Sequence, residues 1–491
     1  MLKRSRALAS VAMVAVVAAV SGPVAAESLQ DALALAYQTN PTLLAQRANQ
    51  RALDETVVQA RAGLRPRLDA SVDVDYTDVH TPSPLTSSES DSISAGVSLS
   101  QTVYSAGRVG HAITAAEANV LGGRENLRDV EQRVLASVVQ AYADVLRDVE
   151  ILRIRQDNQS VLRRQLDESN ARFEVGEITR TDVAQSEARL AQTEADLANA
   201  QAQLSVSRAA YAAVVGQSPA TLDALPTLPG LPEGFEQAMD IALQDNPGLR
   251  AAGYALQAAE ARVAQARAEY LPSARLTASY GGAGTLDDPD LADRTTFRAG
   301  ASMSIPLFTG GLNRSRVAQA LEQANAAQIG VEGERRGVLQ AVSSAYAQVI
   351  SARSTLTAGQ EGVRAASVAA EGVRQEAQVG LRTTLDVLNQ ELELRNAEVT
   401  LAIARRNEYV AQAQLLSAMG RLEGPDLTPV ETYDPAANYN RVRNRGALPW
   451  DGVFEAIDRI AAPPVVPATD APDAPIDTQL KGEVIRTAPS A

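Results

Sequence analysis

The sequence predicts α-helices combined with a membrane β-barrel, in a fold where one helix–strand–strand–helix–helix unit occurs twice. Three observations lead to this prediction. Landmark residues recur in the same order in both halves of the chain, and proline-free helical stretches are far longer than the helices of ordinary globular domains. Strand-like segments alternate between apolar and polar residues, as the strands of a membrane barrel do.

The N-terminal segment, residues 1–26, is predicted to be a secretory signal peptide. Lys3, Arg4 and Arg6 precede an apolar run that is too short to span a bilayer, and small residues follow at positions 24–26. An uncleaved membrane anchor is the alternative, and the short run disfavours it. Because the chain has no cysteine, a lipid-anchored N-terminus is excluded.

Two copies of one unit are recognised by residues that keep their order. Residues 29–66 recur as 235–272, and residues 95–107 recur as 299–311. The further landmarks are an Asn–Pro pair, an Ala–Tyr–Ala triplet and two glycines in each copy: Asn40, Tyr142, Gly176 and Gly216 in the first, and Asn246, Tyr346, Gly380 and Gly420 in the second. Self-similarity of this kind is typical of a repeated structural unit.

Composition divides the chain around these copies. The first copy is predicted to span residues 27–218 and the second to span 234–420, with a proline- and glycine-rich linker at 219–233. Residues 421–462 form a predicted C-terminal extension. Residues 463–491 are dominated by proline, aspartate, alanine and threonine, a composition that predicts a disordered tail.

Each copy contains a helical stretch long enough to form a structural wall. The first runs from about Arg108 to Val175, contains no proline, and spaces its apolar residues by three and four, which predicts an amphipathic helix of about 100 Å. The helix before the strands and the last helix of each copy, placed end to end, span about 90 Å. These matched lengths predict a wall of packed helices. The strands extend its reach to about 140 Å.

Strand-like segments support the membrane prediction. Residues 68–76, 92–103 and 296–307 each place apolar side chains on one face and polar side chains on the other. A soluble antiparallel sheet gives the same alternation. The export signal and the long helices favour the membrane alternative.

Four strands are too few to enclose a water-filled lumen, because even ~8 strands leave an interior that side chains fill. The chain is therefore predicted to oligomerise, so that several copies close one barrel. In such a barrel the carboxylates of Asp69, Asp73 and Asp75 face an acidic lumen, and the apolar face contacts membrane lipid.

Charge and composition exclude several classes of function. The formal charge is −14, and it becomes −17 when the three basic signal residues are removed. Nucleic acid is not an expected partner, because phosphate binding requires a basic surface. The sequence contains no phosphate-binding loop and no cysteine, and its two histidines, His80 and His111, are expected at the surface. No catalytic residue, cofactor or metal is predicted.

Two strand-to-helix junctions are distinctive. Residues 94–108 end in Tyr–Ser–Ala–Gly–Arg, and residues 303–312 contain Phe–Thr–Gly–Gly. With the duplicated pattern of residues 28–420, these junctions resemble the TolC family of outer-membrane efflux proteins. Residues 433–444 look like the extension of members that serve type I secretion. The resemblance implies a homotrimer in which four strands per protomer form one barrel, joined to a long periplasmic α-helical tunnel.

The resemblance also implies partners and a gate. The partners are a periplasmic adaptor (membrane fusion) protein and an inner-membrane transporter of the ABC or RND type. The gate is the narrow periplasmic entrance, formed by the helical turns that follow Gly176 and Gly380. Thr181, Asp182 and Arg382 match positions of the polar network that holds this entrance closed.

Two further positions match the constriction of the entrance, where the family has a ring of aspartates. Asp386 matches the first constriction aspartate. Asn389 replaces the second, and Ala377 replaces a network tyrosine, so the resemblance implies fewer gate bonds and a weaker cation site. The alternative for Asp182 and Asp386 is helix capping, because an aspartate near a helix start stabilises its N–H groups and dipole.

The leading hypothesis is a passive exit duct for type I protein secretion, drug efflux or both, which takes its energy from its partners. An exported structural coiled-coil or adhesive surface protein is the alternative, and an exported enzyme is a third hypothesis. A coiled-coil protein needs sustained heptad seams and has no need of paired strands. An enzyme needs a catalytic site that this sequence does not contain.

Overall fold

The protomer contains two copies of the predicted unit, followed by a C-terminal extension. The computed structural model describes residues 27–79, 88–292, 294–427 and 432–468, so the predicted signal peptide, His80 and residues 469–491 lie outside the described residues. The first copy comprises α1 (Leu29–Thr39), α2 (Pro41–Arg61), β1 (Arg67–Val79), β2 (Ser88–Tyr104), α3 (Arg108–Glu174) and α4 (Arg180–Val215). The second comprises α5 (Phe235–Asp245), α6 (Pro247–Ala268), β3 (Ser273–Gly284), β4 (Thr295–Ser304), α7 (Leu312–Gln378) and α8 (Thr384–Ala418). The extension contains α9 (Gly424–Leu427), α10 (Pro435–Val442) and α11 (Asp451–Asp458).

Two long helices, α3 and α7, set the height of the helical wall. Each has 67 residues, which corresponds to about 100 Å. Each follows a glycine, Gly107 or Gly311, whose φ of 82° or 89° lies in the left-handed region that glycine adopts without strain. The predicted helix length is confirmed. Across the described ranges, no helix combines the length and the apolar character needed to cross a membrane.

The repeated Asn–Pro pair joins the shorter helices end to end. The Asn40 side chain accepts a hydrogen bond from the N–H of Thr42 at 3.0 Å, and its amide donates to the carbonyl of Val214, near the end of α4, at 2.9 Å. Asn246 repeats this contact by donating to the carbonyl of Ala418, at the end of α8, at 3.0 Å. The pairs α4–α2 and α8–α6 therefore form a second layer against the long helices, as the matched lengths predict.

The four strands form one antiparallel sheet in the order β1-β2-β3-β4. Residues of one cross-strand row share a face, and the next row lies on the opposite face. One row is apolar and aligns Leu68, Leu99, Ala278 and Ala299. The next row is polar and aligns Asp69, Ser98, Ser279 and Arg298. The sheet therefore has the predicted apolar and polar faces.

One strand is shorter than its sequence pattern suggests. The alternation extends to residue 307, whereas β4 ends at Ser304. Pro306 explains the difference, because proline has no backbone N–H and cannot donate to the strand ladder. The two residues that follow, Leu307 and Phe308, are 93% and 91% exposed in the protomer.

A hydrophobic core packs the helices midway along the wall. Tyr142 of α3 is fully buried, and its hydroxyl donates to the carbonyls of Glu27 and Asp223 at 2.8 Å each. The Tyr211 hydroxyl donates to the Glu27 carboxylate at 2.6 Å. Desolvation raises the pKa of both phenols well above their usual range. In the second copy, Tyr346 packs edge-on against Phe235.

The C-terminal strap, residues 432–462, lies along the first copy. It contacts α2 through α10, and it contacts β2 and α3 through α11. At its far end the buried Asp458 carboxylate accepts from the N–H and the hydroxyl of Ser105 at 2.5 and 2.7 Å, and the Tyr104 hydroxyl donates to the carbonyl of Ile460 at 3.0 Å. The strap thus covers the β2–α3 junction.

Six residues of the predicted disordered tail, 463–468, lie against the body of the protomer. The Ala468 N–H donates to the Glu260 carboxylate at 3.2 Å, and Ala468 packs beside Ala320 and Ala324 of α7. Residues 463–468 are therefore packed against the protomer, and the rest of the predicted tail lies outside the described residues. This segment contacts the helices through the backbone N–H and the methyl group of Ala468, and composition alone does not reveal such contacts.

Candidate functional site

The matched gate residues lie at the tips of two helical hairpins, α3–α4 and α7–α8. Each tip turns through a glycine, Gly176 or Gly380, with a φ of 79° or 81°. The residue after each glycine donates its N–H back into the preceding helix, Glu177 to the carbonyl of Arg172 and Leu381 to that of Glu376, both at 2.9 Å. This pattern is a Schellman motif, in which a left-handed glycine ends a helix.

The aspartate after each turn binds the threonine that precedes its helix. The Asp182 carboxylate accepts from the Thr179 N–H and hydroxyl at 2.9 and 2.8 Å, and Asp386 accepts from the Thr383 N–H and hydroxyl at 3.0 and 2.8 Å. The backbone N–H bonds, followed by the hydroxyl bonds, lower the pKa of both carboxyl groups. These contacts are those that the capping alternative describes.

Arg382 pairs within its own hairpin rather than with Asp182. Its guanidinium binds the Glu376 carboxylate at 2.7 Å, which raises the pKa of the arginine, and Asp386 adds a weaker attraction. Asp182 and Arg382 line one cleft of about 500 Å³ between the hairpin tips without a direct bond between them in the protomer. Thr181, at the second position of α4, is exposed.

A residue that the sequence did not single out joins the two hairpins. The guanidinium of Arg189, on α4, donates to the side-chain oxygen of Asn389, on α8, at 2.8 Å. Asn389 lies one helical turn from Asp386, so a cationic side chain lies close to the matched constriction. Sequence spacing gave no signal for this contact, because 200 residues separate its partners.

A buried ion-pair cluster lies behind the second tip. Glu391 of α8 is only 3% exposed and binds Arg374 of α7 and Arg395, which lies one turn further along α8. The corresponding part of the first hairpin has small polar contacts instead, such as the Ser169–Ser186 hydroxyl pair at 3.2 Å. The two hairpins therefore differ chemically despite their shared geometry. The i,i+4 pair of Glu391 and Arg395 is visible in the sequence, whereas the pair across the hairpin is not.

The predicted lumen residues lie together on the sheet. Asp69, Asp73 and Asp75 occupy alternate positions of β1, so all three share the polar face. Arg67, on the same face, binds Asp69 at 3.0 Å. Among the described residues, no three histidine or acidic side chains converge as metal ligands do.

The geometry defines a class of protein. A sheet with one apolar face stands on ~100 Å helices that end in paired hairpin tips, as in an outer-membrane channel with a periplasmic helical tunnel. The sequence matches the family described as outer membrane efflux protein over residues 32–217 and 238–421. The chain therefore belongs to this family, the TolC family of outer-membrane efflux and secretion channels. It lies in the outer membrane and extends into the periplasm.

Individual relatives agree with this assignment. The outer membrane efflux protein BepC of Brucella suis is 34% identical over 428 residues, which cover 87% of this chain and 92% of BepC. The alkaline protease secretion protein AprF of Pseudomonas aeruginosa is 27% identical over 66% of this chain and 67% of AprF. The open state of the MtrE outer membrane channel of Neisseria gonorrhoeae superposes with a TM-score of 0.69 at 25% identity, covering 80% of this chain and 89% of MtrE. The members of this family are channels and not enzymes. The family assignment therefore disfavours the hypotheses of an adhesive surface protein and of an exported enzyme.

Proposed function

We propose that this chain forms a homotrimeric exit duct that carries exported molecules from an inner-membrane transporter through the outer membrane. The observation that supports it best is the four-stranded sheet, which has one apolar face and whose edge strands, β1 and β4, are each unpaired on their outer side. Lipid does not tolerate unpaired backbone groups, so the sheet has to be closed by further copies. Three protomers give twelve strands, enough for a lumen wider than the ~8-stranded barrels that side chains fill.

Exposure in the protomer supports this closure. On β1, Val72 is 70% exposed, and on β4, Phe297 is 70% exposed. A soluble sheet buries one face against a core, whereas both faces of β1 and β4 are exposed in the protomer. The apolar face is suited to lipid, and the polar face with Asp69 and Asp73 is suited to a water-filled lumen.

We propose that the hairpin tips form the gate of the duct. Asp182 and Asp386 fix the first turn of their helices, and Arg382 lies in the same cleft, where it can reach an adjacent hairpin when the entrance narrows. Within the protomer, Arg189 and Asn389 hold the two hairpins together. Asp386 provides three carboxylates per trimer for cation attraction, and the nearby guanidinium of Arg189 weakens that attraction.

The partners that fit this duct are a periplasmic adaptor and an inner-membrane transporter of the ABC or RND type. The chain has no phosphate-binding loop, so an energy-coupled partner has to drive transport. The hairpin tips offer a docking surface, because Val175, Val379 and Leu381 are 72%, 71% and 75% exposed. Exposed apolar residues clustered at one end of a molecule are typical of a protein-binding site.

The relatives indicate two classes of exported cargo. BepC is named for efflux, and AprF is named for the secretion of alkaline protease. A tunnel that uses its partners' energy needs no site for a particular cargo, so protein secretion and drug efflux are compatible with one duct. The C-terminal strap favours type I protein secretion, because its sequence resembles the extension of family members with that role.

The test is the assembly state and the conductance of the purified chain. In mild detergent we expect the mass of three chains, and in liposomes we expect discrete single-channel currents. Both follow from the edge strands, which are stable in lipid only when paired. A monomer that remains embedded in membranes and gives no currents contradicts the proposal.

A further inference from the structure

The two edge strands of the sheet carry opposite charges on the same face. On β1 the polar face presents Asp69, Asp73 and Asp75, and on β4 it presents Arg298. The register fixes this arrangement, because Asp69, Ser98, Ser279 and Arg298 form one cross-strand row. Residues of one row point to the same side of a sheet.

Most of these charges have no partner inside the protomer. Asp69 is paired with Arg67. Asp73, Asp75 and Arg298 are exposed, and within the described part of the chain none of them forms an ion pair or a side-chain hydrogen bond. The acidic edge and the basic edge are therefore both free to bind another chain.

The two edges cannot satisfy each other within one protomer. Three strand spacings separate β1 from β4, a distance of about 14 Å across the sheet. In a closed ring, β4 of one protomer runs antiparallel beside β1 of the next, because the strands alternate in direction. Cβ atoms of directly opposed residues then lie about 4.5–5.5 Å apart, and diagonal neighbours about 7–8 Å apart.

We propose that Arg298 of each protomer pairs with the acidic stripe of β1, Asp73 and Asp75, on the neighbouring copy of this chain. This inference rests on the proposed trimer and identifies the contact that sets its strand register. Two carboxylates at adjacent positions of one face let the arginine find a partner directly opposite or on the diagonal. A slip by one residue moves Arg298 to the other face of the sheet, against lipid, so the pairing specifies register.

A matched control is present on the same face. Arg275, on the inner strand β3, shares the polar face and has no ion pair among the described residues. Its neighbouring strands are β2 and β4 of its own protomer. Replacing Arg275 changes the charge of the lumen as much as replacing Arg298 does, but it leaves the joint between protomers intact.

Cysteine cross-linking tests the juxtaposition directly, because the chain has no native cysteine. Arg298→Cys is combined in turn with Asp69→Cys, Ser71→Cys, Asp73→Cys and Asp75→Cys, and the purified trimer is oxidised. A disulfide requires Cα atoms within about 7 Å, so a link between opposite edges has to join two chains. We expect linked dimers and trimers on a non-reducing gel for the pair with Asp73→Cys or Asp75→Cys, and single chains for Arg275→Cys with Asp73→Cys.

Charge reversal tests the energetic role. Arg298→Glu is expected to lower the temperature at which the trimer dissociates in detergent, and to do so more at low salt. Adding Asp73→Arg and Asp75→Arg to Arg298→Glu is expected to restore that temperature, whereas Arg275→Glu alone leaves it near the wild-type value.

The outcomes separate this inference from the proposed trimer. If the wild-type chain runs as a monomer, the trimer itself is wrong. If a conducting trimer forms but no cross-link includes position 73 or 75, the pairing is wrong and the trimer stands. Equal effects of Arg298→Glu and Arg275→Glu likewise contradict the pairing, because they show that lumen charge alone determines stability.

Discussion

At the scale of single residues, the hairpin tips combine local capping with one contact between hairpins. Asp182 and Asp386 bind threonines three positions earlier, so each helix start is stabilised by its own sequence. Arg189 instead reaches from α4 to Asn389 on α8. Capping holds each tip in shape, whereas the contact between hairpins links α4 to α8, and we propose that it limits how far the tips separate.

The first residue-scale prediction concerns opening of the gate. Arg189→Ala is expected to raise single-channel conductance, because it removes the side-chain bond that joins the two hairpins near the entrance. Arg382→Ser is expected to raise it as well, because that arginine lies in the cleft between the tips. An exposed link contributes only about 0–1 kcal/mol, but three symmetry copies act together in a trimer. Planar-bilayer recording of each variant is the measurement.

Arg163→Ala provides the control for this prediction. Arg163 pairs with Glu194 at 3.3 Å inside the first hairpin, and both side chains are exposed. If Arg189→Ala channels conduct no better than Arg163→Ala channels, the contact between hairpins does not hold the gate. If Arg382→Ser channels match wild type, the role of Arg382 is confined to its pair with Glu376, and Asp182 and Asp386 act only as caps.

Sequence could locate the tips but not their contacts. Gly176 and Gly380 are visible because only glycine fits a left-handed helix end without strain, and the aspartates follow at fixed distances. The Arg189–Asn389 and Arg374–Glu391 pairs join different helices. Which faces of two helices meet depends on packing along their whole length, and local spacing does not encode it.

At the scale of elements, the two strand-to-helix junctions have the same origin and different surroundings. Ser105 in the first copy corresponds to Thr309 in the second. The strap covers the first junction through Asp458. The strap does not cover the second junction, and Phe308 at that junction is 91% exposed in the protomer. The C-terminal strap therefore gives the two strand-to-helix junctions different surroundings, although the sequences of the junctions are similar.

The element-scale prediction tests the strap. Asp458→Ala removes the buried acceptor of the Ser105 N–H and hydroxyl, and unsatisfied buried donors cost roughly 1–3 kcal/mol. We expect a lower melting temperature and faster proteolysis within residues 432–462. Differential scanning fluorimetry and limited proteolysis of the detergent-solubilised protein measure the two effects.

Glu455→Ala is the matched control, since Glu455 belongs to α11 and its side chain forms no hydrogen bond or ion pair within the described ranges. It removes the same charge from the same helix without exposing a buried donor. Equal stability of the two variants means that Asp458 does not anchor the strap. The junction is then held by other strap contacts, such as the Arg65–Asp451 ion pair at 3.0 Å.

Element types followed closely from sequence patterns. Period-two alternation identified the two faces of the sheet, because cross-strand rows such as Leu68–Leu99 and Asp69–Ser98 keep those faces apart. The end of β4 was misplaced, since the alternation continues past Pro306 although the ladder does not. The path of the strap was not predictable, because its bonds join residues more than 300 positions apart, as Ser105 and Asp458 do.

At the scale of the whole molecule, exposed apolar residues occur at both ends of a long polar wall. At one end they form the lipid-facing surface of the sheet. At the other they include Val175 and Leu381 at the hairpin tips, which lie just beyond the ends of α3 and α7. The core near Tyr142 lies midway and holds the helices together without reaching either end. In the proposed function, the molecule therefore meets lipid at one end and a protein partner at the other.

The whole-molecule prediction concerns the partner at the tips. Val175→Asp combined with Leu381→Asp is expected to abolish capture of the periplasmic adaptor and the inner-membrane transporter. A carboxylate in place of an exposed apolar side chain adds a desolvation cost to any apolar interface. The measurement is affinity purification of the tagged chain from cross-linked cells, with mass spectrometry of the proteins that accompany it.

Val368→Asp is the control, because Val368 is 66% exposed on the same hairpin and lies 11 residues before Val379, about 16 Å from the tip. It adds one carboxylate, against two in the tip variant, at a valine of similar exposure, and we expect it to retain both partners. Trimer mass should be unchanged in every variant, because the tips are remote from the sheet that closes the barrel. Partner capture that survives Val175→Asp with Leu381→Asp excludes the tips as the docking surface. If Val368→Asp loses partner capture to the same extent, the partner contacts the side of the hairpin as well as its tip. The two variants together therefore locate the contact along the helical wall.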